Sequence, residues 1–308
     1  MDELILKYKP IHDEAKKQAL IFTIIAASLL VIGLIFMFLI GSAPEGAELV
    51  FVGIGIGGIA LSVLFFFLMG RATKKWNVTY SNEILPGFIE ATYPGARYVP
   101  NTGFALNVLM YPEFFARPDR YLSGNYLSSK VEDIAFEMAD YELQMEHRDK
   151  DGHVEYQTYA KGRFIVLTFN RNFKSKLKIL EKSFSFRIGS THKGLKAVEL
   201  ESVDFNKKFN TYSDDATAAF YILTPQMQEK MLGLEKQFKG EMYYMFDDNH
   251  LYIAVNDSQA SFKYPLFSNF DEEGLNKAMK ELLVPKTFID TLSLNTDKFT
   301  EDRFDYTI

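Results

Sequence analysis

The sequence contains no cysteine, which excludes disulfides, a thiolate nucleophile and Cys-ligated zinc or iron–sulfur sites. It has a single tryptophan, and charge is missing altogether from two long stretches. Leu20 to Ile40 is 21 residues without a charged side chain, and Leu49 to Gly70 is 22 more. At ~1.5 Å per helical residue each covers ~31–33 Å, the thickness of a hydrocarbon core of about 30 Å. Several signatures are absent as well. There is no H-E-x-x-H, no two histidines stand at i, i+4, and no G-x-S-x-G elbow occurs. Gly189 to Gly194 has Walker-like glycine spacing, but Leu195 follows where Lys and Ser/Thr are required, so it is expected to be a plain loop.

What is present is unevenly charged. Residues 1–75 carry seven basic and six acidic side chains, and the remainder 27 basic and 34 acidic. A mildly acidic main part argues against general nucleic-acid binding, which needs a basic footprint. Lys7, Lys9, Lys16 and Lys17 precede the first apolar stretch, and Arg71, Lys74 and Lys75 follow the second, whereas Gly41–Glu48 between them has no basic residue. The positive-inside rule then puts both termini in the cytoplasm and the short acidic loop outside. The first run exceeds the ~7–15 residues of a signal-peptide core. Gly53 and Gly57 form a G-x-x-x-G pair expected to pack the second helix closely, with Gly33 and Ala27 available on the first. Neither stretch holds an ionisable residue of the kind that marks an ion path.

Residues 71–90 are expected to continue as a juxtamembrane helix interrupted near Pro86-Gly87, followed by a Pro- and Gly-punctuated stretch over 93–120. Alternation then sets in. Ile134, Phe136 and Met138, and Tyr141, Leu143 and Met145, recur at the strand period of two. Asp149-Lys-Asp-Gly152 has hairpin-turn chemistry, and residues 154–159, 163–169 and 197–202 read as strands. Thr224-Pro225 looks like an N-cap with proline at the first helical position, followed by the stripe Met227, Met231, Leu234, Phe238 and closed by Gly240. Glu241–Phe246 and Leu251–Val255 are expected to pair as a hairpin across Asp247-Asp-Asn-His250. Residues 271–294 read as a helix, or two short ones around Pro285. The fold class is therefore α+β: a two-helix transmembrane hairpin, then a soluble domain with an antiparallel sheet and packed helices. The expected division is a membrane anchor over 1–75, a cytoplasmic domain over 76–295 and a polar tail over 296–308.

Five motifs carry a family resemblance: Gly162-Arg-Phe-Ile-Val166; Val198-Glu-Leu-Glu-Ser202 with Phe205 and Phe209; Tyr212-Ser-Asp-Asp215; Tyr221-Ile-Leu-Thr-Pro225; and Asp248-Asn-His-Leu-Tyr-Ile-Ala254. In these the chain resembles the bacterial membrane-protein family called domain of unknown function 3137. That resemblance implies two N-terminal spans, a bacterial inner-membrane setting and no assigned activity, so no functional residue transfers with it.

Candidate chemistry is sparse. His147 and His153 flank one expected turn beside Asp149 and Asp151, His250 sits in another, and His12 and His192 stand apart. Turn polarity accounts for these better than a metal site does. Asp214-Asp215 and Asp247-Asp248 are expected to cap backbone amides at turns. Lys174, Lys176 and Lys178 alternate with Ser175, Leu177 and Ile179, so three ammonium groups share one strand face. They read either as a contact for anionic lipid headgroups or as the solvated face of a half-buried strand. Together these features suggest a membrane-anchored, non-catalytic cytoplasmic interaction module, a scaffold or envelope sensor, with the bilayer and a protein as partners and no cofactor. The alternative is an enzyme or small-ligand receptor whose site is assembled from scattered residues.

Overall fold

The computed structural model describes residues 2–150, 152–182, 194–296 and 299. Contacts group the chain into two compact units, Met1–Gly87 with Lys263–Met279, and Phe88–Phe262 with Lys280–Ile308. The expected boundary stood at residue 75; here Trp76–Gly87 and a distant segment group with the helices.

The first unit is built on α1 (Asp2–Phe38) and α2 (Glu48–Thr79), joined by a short 3-10 turn at Leu39–Ser42. Both are uninterrupted, and neither apolar run contains proline; Pro10 lies in the first turns of α1. Ring pairs Phe22–Phe65 and Phe36–Phe51, with centroids 6.0 and 5.1 Å apart, show the helices running antiparallel. The close approach uses different glycines from those expected. A Cβ on Gly33 would stand 2.9 Å from the Gly55 carbonyl oxygen, and one on Gly58 3.0 Å from that of Leu29. At Gly53 and Gly57 an added Cβ meets nothing within 4 Å. Gly33 is thus a contact point as expected, but the face of α2 that meets it runs through Gly55 and Gly58.

Both helices continue beyond their apolar runs into a sealed aromatic cluster. His12, with no exposed surface, stacks on Phe270 at 5.4 Å and meets Trp76 edge-on at 4.7 Å. The Trp76 indole donates to the Tyr264 carbonyl at 3.0 Å, and Lys16 donates to Ser268 O and Asn269 Oδ1. These bonds explain why Lys263–Met279 groups with the helices. After α2 a π turn occupies Tyr80–Ile84, and α3 covers Leu85–Thr92. The widened turn falls where the Pro86 ring would otherwise crowd the carbonyl four residues earlier, so the interruption expected near Pro86 sits just before it.

The second unit holds a seven-stranded antiparallel sheet. Its elements are β1 (Arg97–Val99), α4 (Leu106–Met110), β2 (Arg120–Val131), β3 (Ile134–Arg148), β4 (Val154–Glu181), β5 (Lys196–Ala197), α5 (Val203–Lys208), β6 (Phe209–Ser213), α6 (Ala216–Ile222), α7 (Pro225–Gln237) and β7 (Glu241–Asn256). Two short helices form around Pro285 as expected: α8 (Glu272–Leu282), most of which belongs to the first unit, and α9 (Val284–Leu292), which carries Pro285 in its first turn. Strand order is β1-β2-β3-β4-β6-β5, with β7 along the other side of β4. Where the turn between β3 and β4 was expected, Gly152 N donates to Asp149 O and Gly152 takes φ +82°; residue 151 lies outside the described residues. Thr224 caps α7 through its Oγ1 and Met227 N, and Met227, Met231 and Leu234 are buried. Of the strand expected over 197–202, only Lys196–Ala197 pairs.

One expectation is overturned. Asp247–His250 is not a hairpin turn; β7 runs through it as a single strand, and both of its halves pair with β4. The polar quartet instead lies at an irregularity, where Asp248 takes φ +53° opposite register shifts at Phe173 in β4. A long partner strand templates β7 on both sides of the bulge, so turn-forming side chains need not turn the chain.

Side chains on both sides of the sheet are buried. On one, Tyr141, Phe164, Val166, Leu180, Tyr243 and Met245 pack under Phe104, Leu109, Phe114 and Phe115. On the other, Tyr244 meets Phe209 and Phe288.

Candidate functional site

The irregular segment after β1 is held down as a wall over the first of these faces. Tyr121 Oη donates to Phe104 O at 2.9 Å, Tyr159 Oη to Ala116 O, and Asp119 accepts from Glu146 N at 2.8 Å. Phe114 and Phe115 anchor it in the core, and Glu113 takes φ +53° to turn the chain above them. Between this wall and the second half of β4 lies a cavity of about 520 Å³. Its lining includes Met110, Tyr111, Glu113 and Arg117 from the wall, Lys176 and Lys178 from β4, and Met245 from β7.

Two of the three lysines singled out in the sequence therefore line one cavity. Lys178 is 2% exposed, with its ammonium 3.9 Å from Glu113. Burial pushes its pKa below the usual lysine range, partly offset by the Glu113 charge. Lys176 sits at the rim with a side chain 45% exposed, paired with Asp247 at 2.9 Å. Tyr111 donates to the same carboxylate at 2.5 Å and lies under the Lys176 ammonium, 5.5 Å from its ring centre. The hydrogen bond to Asp247 raises both the Tyr111 and the Lys176 pKa. Lys174 shares the strand, and its side chain is outside what is described. At Lys178 the strand face is covered rather than solvated, because a segment some 60 residues away folds over it.

The acidic pairs have structural partners. Asp215 caps α6 by accepting from Thr217 N at 2.8 Å, and Asp214 accepts from Lys176 N at 2.9 Å. Ser213 Oγ donates to Lys176 O at 2.8 Å. The Tyr212–Asp215 motif thereby fixes the backbone of a cavity lysine. His153 pairs with Asp149 at 3.3 Å, and His250 stacks on Tyr252 at 5.7 Å. Among the described residues no three His, Asp or Glu side chains are arranged to hold a metal ion. His192, the 189–193 loop and, apart from Thr296 and Phe299, the tail lie outside the described residues.

A second ionic cluster escaped sequence reading. Arg163, 4% exposed, pairs with Asp257 and, at 2.5 Å, with Glu281, and its guanidinium lies 5.9 Å from the centre of the Phe238 ring. Asp140, also in this unit, accepts from Ser261 N at 2.9 Å and from Asn125 at 2.8 Å. Burial raises the pKa of both Asp140 and Glu281. Neighbouring Gly162 is required by a close approach, since a Cβ there would fall 1.9 Å from the Val255 carbonyl oxygen. The sequence signal was that Arg163 stands directly ahead of the run Phe164-Ile-Val-Leu167.

These motifs place the chain among known sequences. Residues 158–294 match the family described as "Protein of unknown function (DUF3137)". The resemblance read from the motifs holds for that segment. The DUF3137 segment includes most of β4, the whole of β7, Lys176, Lys178 and the Arg163 cluster, while the wall over 104–117 lies ahead of it. No curated protein matches the chain. Among solved structures, the crystal structure of the mycobacterial trehalose monomycolate transport factor A aligns with 11% identity and a TM-score of 0.38, covering 67% of this chain and 90% of that one. A likeness at that level carries no conclusion about fold or function.

Proposed function

We propose that the chain is a membrane-anchored, non-catalytic recognition module of the bacterial inner membrane, with α1 and α2 as its spans and both termini in the cytoplasm. The observation that carries this reading is the state of the two helices. Both are long and apolar enough to cross a bilayer, and only 11% and 17% of their most apolar windows are buried within the protein. A soluble core helix would cover such a surface; a spanning helix gives it to lipid. The lysine distribution around the spans supports the orientation. The sheet unit is then the recognition part, a scaffold or sensor acting on a protein partner. The cavity beside Lys178 favours a second reading, a small-ligand receptor on the same anchor.

The test is extraction. The full chain should stay in the membrane pellet through alkaline carbonate and high salt, and dissolve only in detergent. Release by carbonate would contradict two spanning helices.

A further inference from the structure

The cavity between the 104–117 wall and β4 has a charge, a size and an apolar side that together select a ligand class. Arg117, Lys176 and Lys178 face one carboxylate of the lining, Glu113, and Asp247 behind the rim offsets Lys176. The excess is therefore one to two positive charges. About 520 Å³ falls within the 300–1,000 Å³ typical of small-molecule sites and exceeds what a bare ion needs. Met110, Pro112 and Met245 supply apolar surface on the same lining. A guanidinium presents a planar fork of donors that matches phosphate oxygens, and lysines add point charges. Arg117 itself is exposed, so its guanidinium can swing onto an incoming group without disturbing the core.

We propose that this cavity binds a phosphate ester carried on a short apolar stem, with Arg117 and Lys178 on the phosphate, Lys176 at the rim, and Met110 and Met245 against the stem. Lys178, buried with the Glu113 carboxylate 3.9 Å from its ammonium, gains a further counter-charge when such a group enters. Lys176 is held in place from both sides, by Asp247 on its ammonium and by Ser213 and Asp214 on its backbone. The ester can be soluble or the headgroup of a lipid; the chemistry of recognition is shared. This goes beyond the membrane-anchor reading and does not depend on it.

The test uses the full chain at one fixed ionic strength. In neutral detergent, n-butyl phosphate, whose stem is apolar, is titrated by calorimetry. In nanodiscs of phosphatidylcholine with phosphatidylglycerol, retained lipid is counted by native mass spectrometry. Arg117→Gln changes an exposed side chain, and Lys178→Met keeps the volume of a buried one; Lys236→Gln, on α7, is the control. Binding of n-butyl phosphate weakened at least tenfold by either cavity variant, and unchanged by the control, supports a soluble ester. Retention of phosphatidylglycerol by wild type, lost in the cavity variants, supports a lipid headgroup. If Lys178→Met fails to fold, Arg117→Gln decides alone. No binding in either arm, or binding equal in wild type and Arg117→Gln, overturns the proposal.

Discussion

In the helical unit Leu34, Phe38, Leu49, Val50 and Phe67 are exposed, whereas in the sheet unit Phe164, Ile165, Tyr243, Tyr244 and Ile253 are fully buried. The contrast extends to polar groups. His12 lies in an aromatic cluster on the helical side, while Arg163, Lys178 and Asp140 are ionisable groups sunk among strands. In water the first arrangement would be penalised by roughly 25 cal/mol for each Å² of apolar surface left uncovered, and in lipid it is not. The second arrangement costs desolvation wherever it is placed, and needs partners to persist. One unit leaves its apolar side chains uncovered, and the other holds its charges by internal pairing.

Three sets of substitutions sharpen that contrast, and Trp76, the chain's one tryptophan, helps separate the units because its fluorescence reports the helical one. The largest effect is expected from Arg163→Met. It leaves the buried Asp257, and the half-buried Glu281, without their cation and should cost about 3–5 kcal/mol, most of it at Asp257. Far-UV circular dichroism of the sheet during denaturant titration measures it; a loss below about 0.5 kcal/mol, the level of an ordinary surface change, would remove Arg163 from the unit's essential pairings.

A middle-sized effect is expected between the helices. Gly33→Val or Gly58→Val drives a side chain into the opposite backbone and should loosen the hairpin by about 1–3 kcal/mol. Gly53→Val and Gly57→Val project into open space and should stay within about 0.5 kcal/mol of wild type. Trp76 fluorescence during denaturation in detergent distinguishes the two pairs, and equal effects would mean that the helices meet on another face.

The smallest effect concerns Lys178. Its pKa in the folded state lies below the unfolded value of 10.5, so the unfolded chain binds more protons over the window beneath 10.5. Stability from this group accordingly rises as pH climbs through that window. Lys178→Met should be at least as stable as wild type near neutral pH, and the difference between the two should shrink as pH approaches 10.5. Melting curves at several pH values measure it, and a constant difference would mean that the ammonium is not desolvated.

How much of this was legible in the sequence follows from range. Leu20–Ile40 and Leu49–Gly70 declare themselves as long apolar helices because each runs over twenty residues without a charge. Asp149–Gly152 and Thr224-Pro225 declare themselves because a turn and a cap are local hydrogen-bonding problems. The strand through Asp247–His250 was hidden because its conformation is set by β4, some 80 residues earlier in the chain. The burial of Lys178 was hidden for a similar reason: alternation shows which side chains share a face, but not that Phe114 and Phe115 bring a wall across it. Gly53 and Gly57 misled because a G-x-x-x-G pair names a smooth helix face without naming the face a neighbour uses. Arg163 had only an incongruous charge among strand residues to betray it.

The most direct measurement of the membrane-anchor reading uses the absence of cysteine. Ser42→Cys lies in the short connection between α1 and α2, and Asp204→Cys replaces a side chain 82% exposed on the sheet unit. Each is introduced alone into the full chain and treated in intact cells with a thiol reagent that does not cross membranes. The expected result is labelling at position 42 and none at position 204 until the cells are opened. Labelling of position 204 in intact cells would contradict a cytoplasmic sheet unit held by two spanning helices.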